Sequence, residues 1–181
     1  LNILFLSSNC EGGWLALDRE FNCVHQRLSN ASPAWAKCLE HWPDVRLDQL
    51  ATRLMHSSKS TILHFAGHGD HHGRLVLRDH RGEPIHADPR GLSRLLLRFA
   101  SKVRLVVLNA CFSEALAREL VSAIDVVIGM HDAVDDETAI FFSQSFYEGL
   151  AANLSVDTAF DVACGLVVAR CPEVEKTPAM L

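Results

Sequence analysis

The sequence predicts an α/β fold, a three-layer sandwich with a mainly parallel sheet flanked by helices. Three observations carry that prediction. Short apolar runs of buried-strand type recur at residues 2–7 (NILFLS), 60–69 (STILHFAGHG), 103–108 (VRLVVL) and 125–130 (DVVIGM). Between them, apolar residues return at helical spacing. Each run also gives way to a polar or glycine-bearing segment, as a strand leaving its sheet does. Strands alternating with helices imply right-handed crossovers and a sheet covered on both faces.

The elements follow in order. Residues 2–7 make the first strand, ended by the loop Ser8-Asn9-Cys10-Glu11-Gly12-Gly13, which lacks the G-x-G-x-x-G of a dinucleotide site. Trp14, Leu15, Leu17, Phe21, Val24 and Leu28 define a helix to about Ser29, where Asn30-Ala31-Ser32-Pro33 stops the pattern. Residues 35–42 are ambiguous, with a short edge strand as one reading. Residues 44–56 read as a helix with Leu47, Leu50, Ala51, Leu54 and Met55 on one face. The run at 60–69 leaves its sheet at a Gly-His-Gly turn, and residues 75–78 and 83–86 read as a surface β-hairpin joined by Asp79-His80-Arg81-Gly82. Asp88-Pro89 is an N-cap followed by proline at the first helical position, with Leu92, Leu95, Leu96 and Phe99 as the buried face. Leu116, Leu120 and Ile124 face inward after the strand at 103–108, and the acidic stretch from Asp132 to Glu137 suits the start of the next helix, through Phe142, Phe146 and Leu150. A last helix carries Val156, Phe160, Ala163 and Val167, and residues 177–181 are expected to begin a final strand.

A chain of 181 residues with 49% hydrophobic content fits one domain, residues 1–181, with a sizeable core. Leu1 is not a natural start, so the chain is expected to be a piece of a longer polypeptide. A net charge of -5 provides no basic stripe for nucleic acid. No apolar run approaches the ~20 residues that span a bilayer, and no signal segment opens the chain. The six cysteines are scattered without a C-x-x-C pair, which fits a reducing compartment. The expectation is a cytoplasmic protein without membrane or nucleic-acid partners.

Two strand ends draw the chemistry together. Cys111 follows the apolar run 103–108 and Asn109-Ala110, and His68 sits in the Gly67-His68-Gly69 turn. In an open α/β sheet, ligands bind outside the carboxyl ends of the strands. A thiol there is either a small core residue or a nucleophile. If the two strands are neighbours, both side chains emerge on the same rim and form a Cys-His dyad. A free thiol has a pKa of about 8.5, so cysteine chemistry needs such a base or imidazolium beside it. The N–H groups of Gly69 and Cys111 are placed to form an oxyanion hole, each donor worth roughly 3 kcal/mol in acyl transfer. His64 alternates with Phe65 inside a strand and reads as a packed core histidine. The set His64, His68, His71 and His72 raises a metal site, but residues four apart converge on a helix and this segment is strand then loop. No metal and no cofactor are expected.

The motifs HFAGHG at residues 64–69 and VVLNACFS at 106–113 resemble the CHAT domain, a branch of the caspase-like (clan CD) cysteine peptidases. The opening ILFLSSN, VIGM at 127–130, FYEGL at 146–150 and SVDTAF at 155–160 resemble it too, in the family's order. The resemblance implies a caspase-like sandwich with His68 as the family histidine, Cys111 as the nucleophile, and Gly69 and Cys111 as oxyanion donors. It implies an endopeptidase acting on a protein substrate, switched on by a flanking domain or activating partner, in bacterial defence or regulated cell death. Two departures stand out: the chain stops at the final strand, and Cys10 stands where many relatives have proline. Asp132 and Asp135, with Asp136 and Glu137, follow the strand ending at Met130, where the family's loop lines the substrate cleft. They read either as helix N-terminal charge or as substrate-binding groups favouring a basic or polar residue before the scissile bond. A non-catalytic adaptor built on the same rim is the alternative. A hydrolase of small acyl substrates is a third reading, although no G-x-S-x-G elbow surrounds Cys111.

Overall fold

The computed structural model describes residues 1–10, 15–56, 61–174 and 178–181. Trp14, the Glu11-Gly12-Gly13 loop, Ser60 and Thr177, all used in the sequence reading, lie outside them. The main sheet has six strands in the order β2-β1-β3-β6-β7-β8. These are β1 (Asn2–Ser8), β2 (Leu39–Trp42), β3 (Thr61–Gly67), β6 (Val103–Asn109), β7 (Val126–Gly129) and β8 (Ala179–Met180). All pair in parallel except β8, which runs antiparallel to β7 at one edge. Residues 35–42 thus resolve into the last residue pair of a four-residue helix, α2 (Pro33–Ala36), and the edge strand β2.

Side chains of the strands divide by parity between two cores, as the period of two requires. Leu4, Leu6, Leu63, Phe65, Val106 and Leu108 pack with Leu50 and Leu54 of α3 (Leu47–His56), Leu92 and Leu96 of α4 (Pro89–Leu96), and Leu116 and Leu120 of α5 (Glu114–Leu120). Ile3, Phe5, Ile62, Ala66, Leu105 and Val107 face the other way. They meet Leu17, Val24 and Leu28 of α1 (Leu17–Ala31), Phe142, Phe146 and Tyr147 of α6 (Asp136–Ala151), and Ala159, Ala163 and Val167 of α7 (Val156–Arg170). Helix starts are chemically specified: Asp88, Asp135 and Ser155 cap α4, α6 and α7, each accepting from a backbone N–H three residues on.

Two expectations are corrected. The helix expected from residue 44 begins at Leu47. Before it, the N–H of the buried Val45 donates to the Ser7 carbonyl at 3.0 Å and Arg46 bridges to Arg78, so this stretch serves the sheet edge. The hairpin forms, as β4 (Leu75–Arg78) and β5 (Pro84–Ala87), but it is not wholly a surface feature. Leu75, Val76 and Leu77 are buried, and Leu75 and Leu77 join the α3/α4/α5 core, because β4 folds back against the end of β3 through the Gly69–Leu75 bridge.

Candidate active site

Strands β3 and β6 are direct neighbours, paired from Thr61–Val103 to Ala66–Asn109. The chain therefore leaves both strands side by side on the carboxyl rim, with Gly67-His68-Gly69 next to Asn109-Ala110-Cys111. The approach is close enough to demand glycine. A Cβ added at Gly69 would stand 2.0 Å from the Cys111 carbonyl oxygen, and one at Gly67 2.7 Å from the Ser8 carbonyl oxygen. His68 and Cys111 line one pocket together with Leu15, Glu20, Asn109 and Asp136. The pocket holds about 40 Å³, room for a compact head group rather than a whole ligand.

The turn bearing His68 is tied down from behind. Its carbonyl accepts from Val76 N–H at 3.0 Å, and Asp70, two residues on, folds the loop by accepting from the N–H groups of His72 and Arg74, from Arg74 Nε at 2.7 Å and from His86 Nδ1 at 2.9 Å. Partial burial works against the Asp70 carboxylate, but the hydrogen bonds from Arg74, His72 and His86 outweigh it and hold its pKa well below the ordinary range.

The turn bearing Cys111 is held by Ser113. That buried hydroxyl donates to the Leu108 carbonyl at 2.8 Å and accepts from Met130 N–H at 2.9 Å, stitching the end of β6 to the end of β7. Phe112 takes a left-handed backbone, φ 57°, which a non-glycine residue adopts at a cost of about 1–2 kcal/mol, and its ring packs on His71 with centroids 4.4 Å apart. The Cys111 sulfur lies against the loop after β7, accepting from Val134 N–H at 3.5 Å and donating to the Val134 carbonyl at 3.7 Å. The N–H groups of Gly69 and Cys111 donate to no other described residue.

The acidic stretch is divided by the fold. Asp132 is exposed, and its carbonyl accepts from Phe112 N–H at 3.4 Å. Asp135 caps α6, and hydrogen bonds from the Thr138 hydroxyl and then its N–H keep that carboxyl below its usual pKa against partial desolvation. Neither lines the pocket, whereas Asp136 does, accepting from Ala16 N–H at 2.9 Å. His64 is fully buried, stacked on Phe5 at 4.4 Å and hydrogen-bonded to Glu20 and Tyr147. Burial, and then the Glu20 carboxylate, push the Tyr147 hydroxyl pKa upward. Among the described residues, no three His, Cys, Asp or Glu side chains gather as a metal site would need, and no helix is long and apolar enough to cross a membrane. All six cysteines are free thiols.

Sequence reasoning missed Glu20 and Asn109, which reach the pocket from α1 and β6. The available signal was a carboxylate on the buried stripe of α1, with Leu17, Val24 and Leu28, where the helical period calls for an apolar residue.

A family model described as CHAT domain matches residues 17–169. No curated protein matches the sequence. Among solved structures, the Arg specific cysteine proteinase gingipain R superposes with TM-score 0.70 at 11% identity, covering 98% of this chain and 45% of its own. A secreted C11 cysteine protease from Bacteroides thetaiotaomicron, in complex with an irreversible peptide inhibitor, gives 0.58 at 9% identity over 91% of this chain and 58% of its own. Caspase-1 from Spodoptera frugiperda gives 0.64 at 12% identity over all of this chain and 85% of its own. The chain thus spans about half the length of the first two. At these identities the likeness is one of fold, the caspase-like sandwich.

Proposed function

The chain belongs to the CHAT domain family, and from that premise we propose that it is a cysteine endopeptidase using Cys111 and His68. The observation that carries the reading is the junction of the two strand ends, where one pocket is lined by His68 and Cys111 and Gly69 presses on the Cys111 carbonyl. His68 takes the thiol proton, and Cys111 sulfur attacks the substrate carbonyl carbon. The oxyanion is held by the Gly69 and Cys111 N–H groups, which have no competing acceptor among the described residues. His68 then protonates the leaving amine, and a water, deprotonated by His68, hydrolyses the thioester. No metal or organic cofactor takes part.

The substrate is a protein, and a flanking domain or partner switches the enzyme on. The narrow pocket and the grip of Val134 on the Cys111 sulfur support a resting state that must be released. The same grip favours the second reading, a non-catalytic adaptor using the rim for binding. The family resemblance sets the context as bacterial defence or regulated cell death, and six free thiols suit a cytoplasmic setting. The test is incubation of the full chain and its activator with a candidate partner protein. Wild type cleaves it while Cys111→Ala and His68→Ala do not, and equal cleavage by wild type and Cys111→Ala removes the assignment.

A further inference from the structure

Most arginines of this chain are matched. Arg74 pairs with Asp70, Arg78 with Asp44, Arg104 with Asp125 and Arg118 with Glu114, and Arg170 lies over the Phe141 ring. Arg90, Arg94 and Arg98 are different. All three are exposed, and their side chains make no hydrogen bond, ion pair or ring contact among the described residues. They recur every fourth residue along α4 and the short turn Leu97–Phe99 that continues it, which sets them on one face about 6 Å apart along the axis. The opposite face buries Leu92 and Leu96, while Leu95 and Leu97 lie half-buried at its two edges. Between residues 89 and 113 the sequence has these arginines, Lys102 and Arg104 but no aspartate or glutamate, although the whole chain carries -5.

The free fold gains nothing from this arrangement. Like charges four residues apart on a helix repel, and Arg90 sits in the first turn, where the helix dipole favours an anion. The nearby carboxylates are engaged elsewhere: Asp88 accepts from Gly91 N–H at 3.0 Å as the N-cap, and Glu114 at the start of the adjoining α5 holds Arg118 and His131. The same helix is otherwise well specified, by its Asp88 cap and by Pro89 at the first position. A local rule broken on one outward face alone is the mark of a surface kept for a partner. Arginine forks match carboxylates, and a second helix with Asp or Glu at i, i+4 and i+8 presents them at the spacing of this line. Laid along α4, its apolar edges would meet Leu95 and Leu97. Nucleic acid fits less well, because the net charge repels a polyanion and no aromatic ring is exposed here for base stacking. A membrane surface fits less well too, because none of the exposed large apolar side chains belongs to α4.

We propose that the outer face of α4 is a docking surface for an acidic helical segment of a partner protein, gripped by Arg90, Arg94 and Arg98. None of the three lines the pocket that holds Cys111 and His68, so the surface is separate from that site and does not rest on the peptidase reading. A partner held here is anchored on a helix that packs against α5, which starts directly after the Cys111 turn.

The test titrates the isotope-labelled full chain with two capped, alanine-based helical peptides of one composition. In the first, glutamates stand at i, i+4 and i+8; in the second they are spread around the helix, so that net charge is equal and only the spacing differs. The first peptide is expected to bind at least tenfold more tightly, shifting amide signals of Arg90, Arg94 and Arg98. Arg94→Gln removes that preference, and the triple variant Arg90→Glu, Arg94→Glu, Arg98→Glu turns it toward a peptide with lysines at the same spacing. Equal binding of the two glutamate peptides, shifts elsewhere, or no binding at tens of millimolar overturns the proposal. So does tighter binding of oligouridylate or of phosphatidylserine vesicles than of the first peptide, or self-association of the chain that Arg94→Gln abolishes. The peptide comparison needs no substitution, so it decides the matter even where a variant does not fold. None of these outcomes bears on Cys111, and the docking surface and the peptidase reading fail separately.

Discussion

Gly69→Ala tests the junction on which the site depends. The added Cβ would lie 2.0 Å from the Cys111 carbonyl oxygen and 3.1 Å from its carbonyl carbon, where ordinary contact begins at 3.4 Å. The two backbones must part by over 1 Å, and neither can yield by a side-chain rotation. Gly69 is bridged to Leu75, and the Cys111 turn is pinned through Ser113. Overpacking of this kind costs about 1–3 kcal/mol of stability. Displacing the reacting groups by about 1 Å costs on the order of 100-fold in rate. Urea denaturation measures the first and cleavage of a partner protein the second. Gly82→Ala is the control, because Gly82 has φ +85° but nothing within 4 Å of the added Cβ. It is expected to lose about 1 kcal/mol and no activity. A Gly69→Ala protein with wild-type stability and wild-type cleavage would refute the close approach of the two strand ends.

Other consequences are equally open to measurement. Ser113→Ala leaves Met130 N–H buried without its acceptor and is expected to cost about 1–3 kcal/mol in urea denaturation; a change under 0.5 kcal/mol, roughly the surface-substitution level, contradicts the stitching role. Asp70 has a folded pKa depressed below its unfolded value, so its charge stabilises the fold above about pH 4 and that contribution fades as the pH falls further. Asp70→Asn is therefore less stable than wild type at pH 7, with the gap narrowing below pH 4; a gap independent of pH refutes the charge argument. Cys164 has its pKa pushed up to about 12, by burial first and the Asp161 charge second. About one molecule in ten thousand is thiolate there at pH 8, so iodoacetamide should modify Cys164 slowly by mass spectrometry, and rapid labelling would contradict its placement.

What was legible in the sequence follows from how local each signal is. The strands β1, β3 and β6 announce themselves as unbroken apolar runs, because a parallel strand is buried on both faces. The neighbourhood of β3 and β6 followed from simple crossover topology, and with it the meeting of His68 and Cys111 on one rim. β2 stayed ambiguous because LEHW at an edge needs neither a continuous apolar run nor clean alternation. Burial of β4 escaped because Leu75, Val76 and Leu77 are compatible with a surface hairpin until the Gly69 bridge folds them inward. The cluster of Glu20 with His64, Asn109 and Ser143 was out of reach because its members come from α1, β3, β6 and α6 and meet only in the folded chain. The acidic stretch at 132–137 was divided only by the folded chain, in which helix capping took Asp135 and left Asp136 lining the pocket.

The central claim, that Cys111 is a nucleophile activated by His68, is tested most directly by a peptidyl acyloxymethyl ketone applied to the activated full chain and read by intact and peptide mass spectrometry. The predicted result is a single adduct on Cys111 that is lost in His68→Ala. Labelling spread over several cysteines, or an adduct on Cys111 that forms at the same rate without His68, would contradict it.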